Sequence, residues 1–190
     1  MKKQRYRKIV VLALALLLAA APLVVAAPGD LDPSFDGDGK ATTDFGGNED
    51  YGDAVVLDST GRIVVAGKTG PYGSAYFGLV RYNPDGSLDT TLDADGRVIT
   101  VFEGEDTAAD VTLDGSGNII AAGYTTSPIT GMDFALARYR PDGTLDTAFD
   151  GDGLVTTDFG SAYDAGIAVA VDNWTLPLMA TARQIQVSHL

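Results

Sequence analysis

The 190-residue chain has no cysteine, one tryptophan and one histidine, and only eight of its thirteen lysines and arginines lie beyond residue 27. Each shortage removes a class of chemistry. Without cysteine there are no disulfide staples, no thiolate nucleophile and no sulfur ligand, so the fold must hold by burying apolar surface or by binding a cation. His189 is the sole imidazole, so neither a Ser-His-Asp constellation nor a histidine metal site can be assembled. No G-x-S-x-G, G-x-G-x-x-G or phosphate-cradling loop occurs. Against the eight basic residues stand 26 acidic ones, all past residue 27, a balance of −18 from residue 28 onward. A field of that sign repels phosphate backbones and draws cations, which argues against nucleic acid as a partner.

Long apolar runs are also missing, except at the start. Lys2, Lys3, Arg5, Arg7 and Lys8 precede an apolar run from Ile9 to Ala21, which Pro22 ends, and small residues follow at Ala26 and Ala27. That order is an export signal, expected over residues 1–27 with cleavage after Ala26 or Ala27. The alternative is an uncleaved membrane anchor, since the stretch approaches the ~20 residues a bilayer requires. No second run of that kind follows, so the expectation is a protein free of the membrane once the signal is removed, placed in the periplasm, at the cell surface or outside the cell.

What the sequence has in abundance is repetition. Gly29-Asp-Leu-Asp-Pro-Ser-Phe-Asp-Gly-Asp-Gly39 returns from Gly86 to Gly96 and again from Gly143 to Gly153, both steps being 57 residues. The shared pattern is G-x-L-D-x-x-Φ-D-x-D-G, with Phe35, Leu92 and Phe149 at Φ. Phe45, Phe102 and Phe159 keep the period. So do the runs Phe77–Gly86 and Phe134–Gly143, each with Arg-Tyr followed by Pro-Asp-Gly. A fixed period of this size means a solenoid, an array or a propeller.

One period accommodates four short strands, over 96–102, 108–113, 118–125 and 133–140, each bounded by Gly, Asp, Asn or Pro. Gly61 and Gly117, in D-x-x-G loops, and the two Pro-Asp-Gly runs read as hairpin turns. No segment past the signal carries an apolar stripe at helical spacing. The fold class is therefore all-β: repeated four-stranded antiparallel sheets, β-propeller-like blades, in a partial propeller or open array. An open solenoid of small sheets is the other architecture the pattern admits. The repeat domain spans residues 28–172, just under three periods, fewer than the four to eight blades that usually close a ring. After Asp172 the register fails, and residues 173–190 form an aberrant tail. A truncated or frame-shifted end or a fragment of a longer repeat protein, a capping segment using Trp174 and Leu176, and self-association that completes a ring are the readings of this departure.

Only aspartates recur in a pattern that carries chemistry. Asp36 and Asp38, Asp93 and Asp95, and Asp150 and Asp152 form D-x-D-G pairs at one point of every repeat. Alternate carboxylates in a glycine-closed loop can wrap a hard cation such as Ca²⁺. The same residues also serve as backbone-bonding turn formers. Arg81 and Arg138 stand at matched positions with Asp89 and Asp146 eight residues on, a spacing suited to structural ion pairs. Phe45, Phe102 and Phe159 read as core between blades. Carboxylate pairs could serve glycoside hydrolysis, but an active site is singular, whereas these pairs recur.

The run Phe134-Ala-Leu-Ala-Arg-Tyr-Arg-Pro-Asp-Gly-Thr-Leu-Asp-Thr-Ala-Phe149, with Gly-Leu-Val-Thr-Thr-Asp-Phe-Gly160 after it, resembles the delta-60 repeat of bacterial exported proteins. The resemblance covers roughly residues 29–172, with Arg140 departing from the usual residue before Pro-Asp-Gly. It implies a propeller-like fold and an extracellular or surface location, and brings no catalytic residues. The functional expectation is a non-catalytic secreted or surface scaffold or interaction module with a protein or glycan ligand. Calcium-dependent adhesion and an extracytoplasmic carbohydrate-active enzyme are the alternatives.

Overall fold

A computed structural model describes residues 27–47, 49–172 and 185–188. The export-signal reading falls, apart from Ala27, outside the described residues, as do Trp174, Leu176 and His189. The chain divides into two units, Met1–Asp30 and Leu31–Leu190. In the first, residues 27–30 make one turn, in which the Asp30 amide donates to the Ala27 carbonyl at 2.9 Å.

The second unit is all-β among its described residues. Strands β1 (Glu49–Leu57), β2 (Ile63–Gly70), β3 (Tyr76–Tyr82) and β4 (Arg97–Thr100) form antiparallel sheet 1 in that order. Strands β5 (Asp106–Leu113), β6 (Ile119–Ser127), β7 (Gly131–Tyr139) and β8 (Leu154–Thr157) form sheet 2 identically. Strand β9 (Ala168–Val171) begins a third sheet and pairs with β10 (Ile185–Ser188). No described helix is long and apolar enough to cross a membrane.

The four-stranded blade stands, but its phase differs from the expectation. The segment after Gly96 is the last strand of sheet 1, paired with β3, rather than the first strand of the next sheet. The reason lies in the recurring eleven-residue motif, which folds as a compact connection returning the chain beside β3. The Asp89 amide donates to the Arg81 carbonyl at 2.9 Å, and the Arg81 amide to the Gly96 carbonyl at 3.0 Å. Leu92, the Φ residue, is fully buried beneath this connection.

Local rules build each sheet. In the β1–β2 turn, Asp58 Oδ1 accepts from the amides of Thr60 (2.8 Å) and Arg62 (2.9 Å), and Gly61 adopts φ 84°. Asp114 Oδ1 does the same for Ser116 and Asn118, with Gly117 at φ 80°. Glycine costs least in this left-handed conformation. A bulge interrupts β1 between Gly52 and Ala54, and β5 between Ala108 and Asp110. Opposite each bulge the backbones come so close that a side chain at Gly67 or Gly123 would overlap the Tyr51 or Thr107 carbonyl oxygen.

The sheets stack face to face in chain order: β5 packs on β1 and β2, and β9 on β5 and β6. Alternation along the strands gives each sheet two apolar faces. Val64, Ala66 and Leu79, on the trailing face of sheet 1, join Val111, Ile119, Ala121, Ala137 and Tyr139, on the leading face of sheet 2, in the main core. Ile120, Ala122 and Leu136, on the trailing face of sheet 2, pack with Val169 and Val171 of β9.

Candidate functional site

Three features concentrate polar or unpartnered groups: the joints between repeats, the leading face of sheet 1, and one acidic cluster.

The joints absorb the aspartates that recur in D-x-D-G. Asp36, Asp93 and Asp150 all adopt left-handed φ values of 47°, 46° and 51°, a conformation aspartate tolerates better than most residues. This turn aims the Asp36 amide at the Asp85 carbonyl (2.7 Å) and the Asp93 amide at the Asp142 carbonyl (2.8 Å), linking one repeat to the Pro-Asp-Gly turn of the next. The second aspartate of each pair closes an Asx turn. Asp38 Oδ1 accepts from the Lys40 amide, Asp95 Oδ1 from the Arg97 amide and Asp152 Oδ1 from the Leu154 amide, each at 2.9 Å. None of the six belongs to a three-carboxylate cluster among the described residues.

Arg81 is the centre of the best-formed joint. Only 3% exposed, it donates from Nε to Asp89 Oδ2 (2.7 Å), from Nη2 to Thr91 Oγ1 (3.0 Å) and from Nη1 to the Pro141 carbonyl of the next repeat (2.7 Å). Arg62 Nη1 adds a second cation to Asp89 at 3.0 Å. Burial opposes ionisation of Asp89, but the Thr91 hydroxyl and amide and the Arg81 guanidinium outweigh it and hold the carboxyl at about 2. Arg138 pairs with Asp146 through Nε (2.8 Å) and Nη2 (2.6 Å) and stacks over Phe149. The structural role expected for the arginines is what the structure shows. The phenylalanines divide. Phe102, just past β4, pairs with Phe77 of sheet 1 at 4.9 Å between ring centroids and packs on the core shared by the two sheets, as expected. Phe159 meets Phe134 at 5.1 Å but remains 68% exposed, so it is no core residue between sheets.

Two segments, residues 59–92 and 115–149, match a family model described as "Domain of unknown function (DUF5122) beta-propeller". Each runs from the first hairpin turn through the second and third strands to the motif that returns the chain. A β-propeller-like repeat domain is present in this chain. No curated protein matches the chain.

The leading face of the first propeller-like blade is the second feature. Val55 and Leu57 are each 64% exposed, and Ile63 and Val65 are half-buried. Residues 41–45 lie along the Val80 and Tyr82 side of this face, where Thr43 Oγ1 and Tyr82 OH share a 2.5 Å hydrogen bond. The same bond recurs between the two blades, Tyr139 OH donating to Thr100 Oγ1 at 2.7 Å.

The third feature was not marked by any repeat. Asp133 on β7, Asp158 just past β8 and Asp164 ahead of β9 bring carboxylate oxygens within 4.8 Å of one another. Asp133 Oδ2 accepts from Thr130 Oγ1 at 2.6 Å, while its Oδ1 is buried with no hydrogen-bond partner. Asp158 Oδ1 accepts from the Gly160 amide (2.6 Å), and Asp164 from the Phe159 amide (2.8 Å) and the Ser161 hydroxyl (2.8 Å). The Ser161 hydroxyl is the main cause holding the Asp164 carboxyl below the ordinary carboxylate range. This arrangement has the donor set of a divalent-cation site. Sequence reasoning passed over it because Asp133 and Asp158 have no acidic counterpart one period earlier, where Tyr76 and Val101 stand.

Proposed function

We propose that this protein is a non-catalytic, exported β-repeat scaffold of the delta-60 kind, and that it completes its array by stacking on a second copy of itself. The observation that carries the reading is the leading face of sheet 1. Val55, Leu57, Ile63 and Val65 occupy the places that Val111, Leu113, Ile119 and Ala121 hold in sheet 2, where they form the interface with the preceding sheet. Contiguous apolar surface of this sort marks an interaction site. The complementary half is present as well. Ala168 and Ala170 on β9 stand where Ala54 and Val56 of β1 pack against sheet 2. A head of one copy thus fits a tail of another in the manner of the existing sheet-to-sheet contact, a heterologous association that closes into a ring or extends.

The non-catalytic part of the reading is supported by where the recurring carboxylates are spent. Asp58, Asp89, Asp114 and Asp146 each hold a turn or an arginine. A cleft between the first hairpin tips of the two sheets, lined by Asp58, Thr60, Arg62, Arg81, Asp114 and Pro141, is built from these same engaged groups. The export signal and the acidic balance support a location outside the cytoplasm, with a protein or glycan as the ligand of the completed array.

Light scattering on the size-separated protein tests the proposal. A discrete oligomer is expected, reduced to monomer by Val55→Asp with Leu57→Asp. A cooperative monomer up to high protein concentration defeats the self-stacking claim. Turnover of a polysaccharide or glycoside panel by the purified protein defeats the non-catalytic one.

A further inference from the structure

Three carboxylates converging without a cation are an unfavourable arrangement, and each needs a reason. Asp164 has one. It is the counterpart of Asp50 and Asp106, which accept from the Phe45 and Phe102 amides and from the hydroxyls of Thr69 and Thr125. Every one of those bonds is a staple at the start of a sheet, and Asp164 keeps the first half of it through the Phe159 amide. Asp158 has another: its Oδ1 accepts from the Gly160 amide as Asp44 Oδ1 does from the Gly46 amide, both at 2.6 Å, so Asp133 alone has no acidic counterpart. In the crossover from sheet 1 to sheet 2 the places of Asp133 and Asp158 are taken by Tyr76 and Val101, neutral side chains beside a lone Asp106.

Asp133 is the telling member. It is only 8% exposed, and its Oδ1 has no donor within reach among the described residues. A buried carboxylate oxygen left bare loses its hydration with nothing in return. Among the described residues, no lysine or arginine forms an ion pair with Asp133, Asp158 or Asp164. The described residues supply no positive partner, so the cluster is open to a bound cation. Carboxylate oxygens that all lie within 4.8 Å of one another are close enough to share one divalent cation. Calcium, with flexible geometry and several protein oxygens among its ligands, suits three side-chain carboxylates better than magnesium, which usually keeps several waters. All donors are hard oxygens, the set calcium prefers over transition metals.

We propose that Asp133, Asp158 and Asp164 hold one calcium ion, which ties β7 and the end of sheet 2 to the crossover that delivers β9. The crossover is already laid against this point. The Met132 amide donates to the Ala162 carbonyl (3.1 Å), and the Asp164 amide to the Met132 carbonyl (2.9 Å). An ion at the cluster would clamp both sides of that contact and offset two of the three negative charges. The site is independent of self-stacking, since it lies on the second crossover and not on the leading face of sheet 1.

Calorimetric titration of calcium into the full chain, stripped of metal by chelation and held at physiological salt, tests this. One ion per chain is expected, bound at least tenfold more tightly than magnesium. Asp158→Asn, at an exposed residue whose replacement leaves the core intact, should weaken calcium at least tenfold and abolish the calcium-dependent rise in Tm. Asp133→Asn should do the same. Asp152→Asn, in a D-x-D-G turn, should leave affinity within twofold. The proposal is overturned by the absence of saturable binding at ~1 mM calcium, the weak end of protein calcium sites. It is equally overturned if Asp158→Asn binds as the parent does, or if binding is lost with Asp152→Asn instead.

Discussion

The leading faces of the two sheets carry closely similar residues and meet opposite fates. Val111 and Ile119 of sheet 2 are 5% and 1% exposed because the trailing face of sheet 1 covers them. Val55 and Ile63, their counterparts in sheet 1, lie open or half-open. Arg81 and Arg138 repeat the lesson in polar form. Arg81 reaches the Pro141 carbonyl of the following repeat, and among the described residues Arg138 has no equivalent carbonyl acceptor. The comparison teaches that a repeat residue's energetic worth is set by the neighbouring repeat, because each blade supplies only half of every interface.

The largest expected effect is at the polar joint. Arg81→Ala should cost roughly 2–4 kcal/mol, because it removes the buried guanidinium from Asp89, which keeps only the more exposed Arg62 as a cation, and takes the donor from the Pro141 carbonyl. Arg138→Ala, at a pair 23% and 10% exposed, should cost less, about 1–2 kcal/mol, because Arg140 stays beside Asp146 and no carbonyl of a following repeat loses its donor. Urea denaturation of both variants gives the two numbers, and equal losses would break the comparison. Next come the apolar counterparts. Ile119→Ala should cost about 2–4 kcal/mol as a buried deletion, and Ile63→Ala markedly less while the face is open. In the self-stacked state that gap should narrow, so repeating the measurement across protein concentration sharpens the contrast. The smallest effect concerns acid. With its folded value at about 2, below the ordinary 3.8, Asp89 adds stability that is complete above its unfolded value. As pH falls through the folded value that contribution disappears, a loss of about 2 kcal/mol between roughly pH 5 and pH 2. Thermal unfolding across that range should show the loss, and Asp89→Asn should flatten the acid limb.

Much of the fold was legible from the period. The D-x-x-G hairpins, the glycines opposite the bulges and the Arg–Asp pairs all announce themselves by returning at 56 or 57 residues with their chemistry unchanged. Sheet phase was not legible, because a period fixes spacing but not which edge of a strand its partner takes. Only the bonds from the Arg81 amide and carbonyl to the returning chain decide that Arg97–Thr100 ends one sheet rather than starting the next. Phe159 illustrates a second limit. It keeps the sequence register of Phe102, yet its exposure depends on what lies over it. The acidic cluster is a third case. Asp164 keeps the place of Asp50 and Asp106 and Asp158 that of Asp44, while Asp133 breaks the repeat, and only the folded chain brings the three together.

The offset between sequence unit and sheet has an evolutionary consequence. A whole sheet is bounded by the crossover at residues 101–105 rather than by the motif, yet because the repeats match position by position an in-register exchange elsewhere in the period also rebuilds a complete blade. Recombination between copies therefore need not respect a boundary. Any exchange that adds or removes 57 residues leaves every strand with its partner and every turn with its carbonyl, so such a gene can lengthen or shorten by whole blades without passing through an unfolded intermediate product.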